Sequence, residues 1–302
     1  MKAASLALVF FFLLAGCGRS APDNAADAGA TVDSEQVAVA ATLGDSGGKA
    51  GIVAAYRPKA IPYLPDDGAW KKISETTVPL SAQVITVPNG GGSIAEINVR
   101  AVHNGEDLAL RLEWEDETAN REVGTSTFRD AVAVGFPAGQ SATLPSPFMG
   151  DPKHPVNIWQ WTADFDANAR GQSGFAERYP HTEGVWIFPQ DPGITRQVRY
   201  WRGTEPVIEL TASGFGSLER HETQAVYGTS EHKKGRWSVV LRRQLSTGNP
   251  EDTHFRAGSE SHIVFAVWNG TMQEVNGKKS ITMSWLPLRL EATLKRAGGG
   301  NE

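Results

Sequence analysis

Hydrophobic and polar residues alternate in short runs over most of this chain. Ile97–His103 alternates, Asn104-Gly105 follows as a tight-turn dipeptide, and Leu108–Trp114 alternates again. Two alternating runs joined by Asn-Gly are typical of a β-hairpin, because this dipeptide tolerates the positive φ angles of the turn. This is the clearest hairpin pattern in the sequence.

Similar runs elsewhere predict more strands, and helical periodicity of any length is nearly absent. The further predicted strands are Ala131–Phe136, Val156–Trp161, Val185–Phe188, Val207–Leu210, Trp237–Arg242, His262–Val267 and Ser280–Leu290. Many short strands with turn residues between them favour an all-β fold, an antiparallel β-sandwich with short helices. The loop-rich stretch Asp164–Arg202 is predicted to be an insertion at one end of the sandwich.

The first residues have a different pattern. One lysine precedes a short apolar run that ends in small residues, which predicts a secretory signal over residues 1–16. The run is shorter than the roughly 20 apolar residues that span a bilayer. Leu14-Ala-Gly-Cys17 resembles the bacterial lipobox, so we expect Cys17 to carry a lipid anchor. The alternative is an ordinary signal peptide that is cleaved a few residues later.

The pattern also divides the rest of the chain. Residues 17–52 are rich in Ala, Gly, Ser and Asp and predict a flexible tether, because they cannot bury enough apolar area to fold. The β-sandwich is expected over residues 53–295, and residues 296–302 are expected to be a disordered tail. Gly44-Asp-Ser-Gly-Gly48 is similar to a serine-protease motif, but it lies in the tether and no predicted strand flanks it.

Composition excludes several classes of function. Cys17 is the only cysteine, so a lipid on it leaves no thiol for disulfides, iron–sulfur clusters or cysteine zinc sites. The Cys-x-x-Cys-His motif of covalent haem is absent. The net charge is −5 with scattered basic residues, which does not favour nucleic acid as a partner.

No catalytic arrangement stands out. None of the seven histidines forms the i, i+4 pair of a helical zinc site. Glu113, Glu115 and Asp116 lie at a strand end and its turn, where solvated charges are common. His154 is of more interest, because it lies in the same loop as one of the few methionines.

That methionine is Met149, in Pro147-Phe148-Met149-Gly150-Asp151-Pro152. Proline makes this loop rigid at both ends, and Gly150 permits another backbone to come close. The thioether therefore either packs the loop down or presents a soft sulfur to a ligand.

A second polar feature follows the turn Asn276-Gly277. Lys278 and Lys279 begin the last predicted strand, and the two-residue period places them on opposite faces. One of them must face inward or towards a neighbouring loop, unless its stem extends so that the amine reaches solvent.

The nine tryptophans allow three interpretations. Trp159 and Trp161 lie on one face of a predicted strand. They can be core residues, platforms for sugar stacking, or the wall of a site for a flat aromatic cofactor.

Four segments together resemble one known family. They are Trp268–Trp285, Phe128–Pro137, the Met149 loop with Val156–Trp161, and Gly235–Leu245. Taken in their order along the chain, they are similar to the haem-b-binding gamma subunits of ethylbenzene dehydrogenase, dimethyl sulfide dehydrogenase, selenate reductase and chlorate reductase. The resemblance covers the chain from about Tyr56 to Leu290.

The resemblance implies a β-sandwich that holds one non-covalent haem b between a methionine and a lysine. Met149 matches the methionine and Lys279 matches the lysine, with Lys278 as the alternative one position away. Met272, in a polar turn, and Met283, on the other face of its strand, are weaker candidates. Further cofactor-binding candidates are Trp159, Trp161 and Arg243.

The resemblance also implies a subunit that transfers electrons and has no catalytic centre of its own. Its expected partners are an iron–sulfur beta subunit, a molybdenum-containing alpha subunit and a periplasmic electron carrier such as a c-type cytochrome. With Cys17 lipidated, we expect a membrane-tethered variant in the periplasm, or a free-standing haem protein.

Two other hypotheses remain at this point. One is a carbohydrate- or solute-binding sandwich that uses Trp159, Trp161 and Trp201 as stacking platforms. The other keeps the haem but replaces the lysine by a histidine, His154 or His262.

Overall fold

A computed structural model describes residues 51–139, 143–171 and 205–293 of the chain. Within these residues one short 3₁₀ helix, Gly68–Lys72, and one α-helix, α1 (Ala163–Ala169), accompany fourteen strands. The strands are β1 (Ile52–Tyr56), β2 (Thr76–Pro79), β3 (Ser81–Ala82), β4 (Glu96–His103), β5 (Asp107–Glu115), β6 (Ala131–Pro137), β7 (Val156–Thr162), β8 (Val207–Ala212), β9 (Glu219–Arg220), β10 (Tyr227–His232), β11 (Arg236–Gln244), β12 (Glu260–Trp268), β13 (Ser280–Ile281) and β14 (Leu286–Leu290).

The strands form one sheet that folds over itself in two halves. Its order is β10-β11-β5-β4-β1-β14-β12-β6-β7-β8-β9. The halves meet at β12, whose residues Glu260–Ile263 pair with β14 and whose residues Val264–Trp268 pair with β6. We call the part from β10 to β14 the first half, and the part from β6 to β9, with β13 and β3, the second half.

A tryptophan cluster joins the two halves across the core. Trp114 of β5 and Trp237 of β11 come from the first half, and Trp161 of β7 comes from the second. The ring of Trp161 lies 6.2 Å from that of Trp114 and 4.9 Å from that of Trp237, and all three are buried. The predicted all-β sandwich is confirmed.

The sheet is not wholly antiparallel. Strand β1 pairs in parallel with both β4 and β14. Antiparallel neighbours can be joined by a tight hairpin, whereas parallel neighbours need a longer connection. Strand β1 enters from the N-terminal side and is separated from β4 by β2 and β3, so no hairpin constrains its direction. It begins at Ile52, one residue before the predicted start of the sandwich.

The prediction of one continuous strand over Ser280–Leu290 is wrong. The segment is divided into β13, which pairs with the second half, and β14, which pairs with the first. At the break, Thr282 binds Phe265 twice, because its Oγ1 accepts from the Phe265 amide at 3.0 Å and its own amide donates to the Phe265 carbonyl at 3.1 Å. Strand β12 belongs to both halves of the sheet. Because of the break, β13 pairs with the end of β12 in the second half and β14 pairs with its beginning in the first half.

The stretch predicted as loop-rich begins with a helix. α1 occupies the first residues of Asp164–Arg202, and its buried face packs through Asp166 and Ala167. The other predictions for the two ends of the chain and for this insertion lie outside the described residues. They are the signal over 1–16, Cys17, all but the last two residues of the tether over 17–52, the strand Val185–Phe188, Trp201 and the tail over 296–302. No helix among the described residues is long and apolar enough to cross a membrane.

Candidate cofactor cavity

The outer face of the second half of the sheet is apolar. Along β6, Ala131, Ala133 and Gly135 lie on this face, and the residues between them are buried in the core. Ile158 of β7 and Ala266 of β12 lie beside them. Because three of these side chains are methyl groups and one is a hydrogen, the strands present a low apolar floor with space above it.

Loops rise around this floor and enclose a cavity of about 650 Å³. Its volume is within the range of small-molecule and cofactor sites, and its lining is mostly apolar with a few polar groups. The walls come from five segments, through residues 83 and 85–88, 123, 128 and 129, 147–149, 215, 216 and 218, and 274–277 with 279. Segments far apart in the chain therefore form one site.

Met149 lies in one wall of the cavity, in a loop with a constrained backbone. Its φ is 81° and that of Gly150 is 69°, both in the left-handed region. The Met149 carbonyl accepts a hydrogen bond from the Gly214 amide at 2.8 Å. A Cβ at Gly150 would lie 2.7 Å from the carbonyl oxygen of His154, so only glycine fits there. The loop therefore holds the thioether at the cavity.

Lys279 lies in another wall, and Lys278 does not. Lys278 is exposed, whereas Lys279 is partly buried and lines the cavity. The Lys279 amide donates to the Gly90 carbonyl at 3.1 Å, and its carbonyl accepts from the Gln83 amide at 3.1 Å. The structure thus separates the two lysines that the sequence left as alternatives, and brings Met149 and Lys279 to the same cavity.

The amine of Lys279 is in an environment that disfavours its charge. Burial lowers its pKa to about 8. Its Nζ lies 4.9 Å from the ring centroid of Trp268, and no carboxylate of a described residue lies within 4.0 Å of it. A lysine must lose its proton to bind a metal, and desolvation makes that loss easier.

Sequence reasoning missed Gln83, which holds the loop around Lys279. The Gln83 side chain is buried, and its Nε2 donates to the Thr86 carbonyl at 2.8 Å and to the Gly277 carbonyl at 3.0 Å. Its Oε1 accepts from the Thr86 amide at 2.7 Å. The side chain joins the loop after β3 to the turn that precedes Lys279. The glycine run 90–92 is the sequence feature that could have indicated a close backbone approach to this segment.

Asp130, behind the cavity wall, was also missed, although it lies in one of the four family segments. Its carboxylate accepts from the amides of Gly270 and Asn120 at 2.8 and 2.7 Å, and from the Trp237 indole at 2.9 Å. Burial, together with the nearby Asp116, raises its pKa to about 7. The carboxyl ties the turn after β12 to the core.

Trp159, Trp161 and Arg243 are not brought to the cavity. Ile158 and Gln160 line it, so the period of β7 turns the two tryptophans towards the core, where both are fully buried. Neither ring can stack on a sugar from this position. Arg243 is also fully buried and lies 4.8 Å from the Trp159 ring.

Arg243 belongs to a separate buried cluster. Glu209, His221 and Asp252 each offer a ligand atom within 4.8 Å of the others, which is the spacing of a metal site. Arg243 donates to Glu209 at 2.6 Å, and His221 lies 3.0 Å from Asp252. Because a permanent cation is already paired with these carboxylates, the cluster is a closed ion-pair network.

The other candidate ligands lie elsewhere. His154 contacts the carboxylate of Asp151 at 3.1 Å, and neither His154 nor His262 lines the cavity. Met272 is exposed, and Met283 is absent from the lining. Met149 and Lys279 are thus the one methionine and the one lysine in the lining, as far as the described residues show it.

Comparisons with known proteins identify relatives of this chain. The model of the family described as Ethylbenzene dehydrogenase matches residues 67–280. The chlorate reductase subunit gamma of Ideonella dechloratans is 31% identical over 230 residues, 74% of this chain and 78% of that protein. The dimethylsulfide dehydrogenase subunit gamma of Rhodovulum sulfidophilum is 25% identical over 79% of this chain and 79% of that protein.

A third relative comes from Haloferax mediterranei and is named as the heme subunit ORF7 of a respiratory nitrate reductase. It is 29% identical over 223 residues, which are 73% of this chain and 66% of that protein. Among solved structures, a family 9 carbohydrate-binding module from Caldicellulosiruptor kristjanssonii aligns with 83% of this chain and 98% of that one. Its TM-score is 0.39 and its identity 10%, so it carries no argument about ligand or function.

Proposed function

The chain belongs to the ethylbenzene dehydrogenase family, and from this premise we propose that it is a haem b electron-transfer subunit of a molybdoenzyme complex. The observation that carries the proposal is the shared cavity of Met149 and Lys279. The relatives named as gamma and heme subunits support it. The subunit itself is non-catalytic, and the reaction of the complex belongs to another chain.

The residues of the cavity fit a haem. The floor of Ala131, Ala133, Gly135 and Ala266 leaves space for a flat apolar ring, and the volume of about 650 Å³ suits a large cofactor. Met149 would supply a thioether to the iron, and Lys279 would supply an amine whose pKa is lowered by burial. When bound, haem supplies one-electron chemistry that the amino acids of this chain lack.

Both proposed ligands are neutral when they bind iron. A thioether is a soft ligand that favours the reduced metal, and the apolar cavity disfavours the additional positive charge of the oxidised one. We therefore expect a high reduction potential. Met149 and Lys279 would both be used to hold the iron, so the site is suited to electron transfer rather than to binding a substrate.

We further propose that the subunit works in the periplasm, anchored by a lipid on Cys17. The lipobox Leu14-Ala-Gly-Cys17 and the tether-like composition of residues 17–52 support this location. An iron–sulfur subunit and a molybdenum subunit would be its partners within the complex, and a c-type cytochrome would be its external partner. The tether would let the haem domain reach such a carrier near the membrane.

The first test is a reduced-minus-oxidised visible spectrum of the purified full-length chain, produced with haem available. We expect the sharp bands of a six-coordinate, low-spin b-type haem. Met149→Ala and Lys279→Ala should each weaken haem binding or change these bands, because each removes one of the two side chains that would hold the iron.

A second methionine and a second lysine serve as matched controls. Met283→Ala and Lys278→Ala remove the same chemical groups outside the cavity lining, so their spectra should remain those of the parent. A folded parent chain without haem would contradict the proposed function, and parental spectra from both ligand variants would contradict the ligand assignment.

A further inference from the structure

The charges that line the cavity are few. Within the described lining, the charged residues are Arg129, Glu274 and Lys279. The carboxylate of Glu274 is buried and accepts from the backbone amides of Ser93 at 2.9 Å and Asn269 at 3.1 Å. Lys279 would be neutral as a ligand of iron. Among these described lining residues, Arg129 is therefore the cation that remains for an anionic group bound in the cavity.

Arg129 is held in place by two residues that are not among the cavity lining. Its Nη1 donates to the Asp164 carboxylate at 2.6 Å, and its guanidinium carbon lies 5.2 Å from the ring centroid of Phe165. Asp164 and Phe165 both belong to α1. The planar guanidinium has five N–H donors in a fixed fork, and one carboxylate oxygen engages only part of it. Within the described residues, no hydrogen bond is formed by its Nε or Nη2.

Haem b carries two carboxylates, its propionates, and an apolar cavity strongly disfavours an unpaired carboxylate. We propose that Arg129 binds one haem propionate and so orients the cofactor between Met149 and Lys279. This inference rests on the proposed function and adds the residue that recognises the anionic edge of the cofactor.

A thermodynamic cycle between residue and ligand tests the inference. Affinities of the full-length chain and of Arg129→Gln are measured for haem and for haem dimethyl ester, in which both propionates are esterified. We expect Arg129→Gln to weaken haem binding about tenfold, since a hydrogen bond to a charged group is removed at a partly exposed site. The parent should bind the ester about tenfold more weakly than haem, and the variant should bind both alike.

Arg236→Gln is the matched control. Arg236 is 33% exposed against 34% for Arg129 and is also paired with carboxylates, Glu113 and Glu115, but it lies on β11 away from the cavity. It should keep the parent's preference for haem over the ester. Denaturant unfolding of each haem-free chain verifies that the variants fold. Arg129→Lys retains the positive charge but lacks the forked donors of the guanidinium.

The possible outcomes separate the two proposals. A parent that binds the ester as tightly as haem overturns the role of Arg129, even without any variant. An Arg129→Gln chain that still prefers haem to the ester as strongly as the parent does also overturns this role. A folded parent that binds neither porphyrin overturns the proposed function itself.

Discussion

At the scale of single residues, Lys279 shows that the site is built at the expense of stability. Burial lowers its pKa to about 8, and among the described residues no carboxylate within 4.0 Å offsets its charge. The indole of Trp268 is its nearest aromatic neighbour, at 4.9 Å. The protonated amine is unfavourable in this position, and only the neutral amine can bind a metal.

We therefore predict that Lys279→Met stabilises the haem-free chain at pH 7 by about 1–3 kcal/mol. The sign follows from linkage: the folded pKa is about 8 and the unfolded value is 10.5, so the unfolded chain binds more protons between these values. Parental stability should rise from pH 8 to 10.5, and that rise should be missing in the variant. Urea unfolding across this range measures both effects.

Lys278→Met is the control for this prediction, because Lys278 is exposed and begins the same segment. Its pH dependence should match that of the parent. An identical rise in parent and Lys279→Met would mean that the buried amine does not carry the effect.

At the scale of elements, Lys279 is positioned by direct backbone packing between two loops, with no side chain between them. Gly91 has a φ of 89°, and a Cβ there would lie 2.2 Å from the backbone nitrogen of Lys279. The glycine run after β3 thus packs directly on the segment that begins with Lys279. The side chain of Gln83 fastens the same two segments by hydrogen bonds.

Gly90 and Gly91 offer a matched pair of substitutions. Gly90 has a φ of 107° and open space at its Cβ, so Gly90→Ala should cost about 1 kcal/mol of backbone strain alone. Gly91→Ala adds the clash and should cost about 3 kcal/mol or more, because Lys279 must move. Urea unfolding measures the cost, and the haem spectrum should change only in Gly91→Ala. Equal effects of the two variants would contradict the close approach.

At the scale of the whole molecule, the core and the cavity occupy opposite faces of the same half of the sheet. Trp161 faces the core, where its ring contacts those of Trp114 and Trp237. Ala133 of the adjacent strand β6 lines the cavity. Stability and cofactor binding should therefore depend on different residues of neighbouring strands.

Two substitutions should separate folding stability from haem binding. Trp161→Ala should cost about 3–5 kcal/mol of unfolding free energy, because it leaves a core cavity, while haem binds with the parental spectrum below the unfolding transition. Ala133→Leu should leave the stability of the haem-free chain nearly unchanged and prevent haem binding by filling the floor. Denaturant unfolding and haem titration measure the two quantities. A Leu variant that binds haem like the parent would exclude this face as the site.

Several features could be read from the sequence because they depend on neighbours in the chain. Alternation predicted β5, β6, β7 and β11 to within a few residues, since the side-chain period of a strand is local. The polar strand β10, with the sequence Tyr227-Gly-Thr-Ser-Glu-His232, was missed because it lacks that alternation. Met149 and Lys279 were found through resemblance to a family, not through periodicity.

Most of the strands and the all-β class followed from the sequence, because each depends on local pattern, and the candidate donors followed from residue chemistry and family resemblance. Which face of β7 is the core could be learned from the packed structure alone. Both faces of this strand carry apolar residues, so the two-residue period could not show that Trp159 and Trp161 are buried while Ile158 lines the cavity. Burial is a property of the packed halves, and so is the placement of Met149 and Lys279, from segments far apart in the chain, in the lining of one cavity.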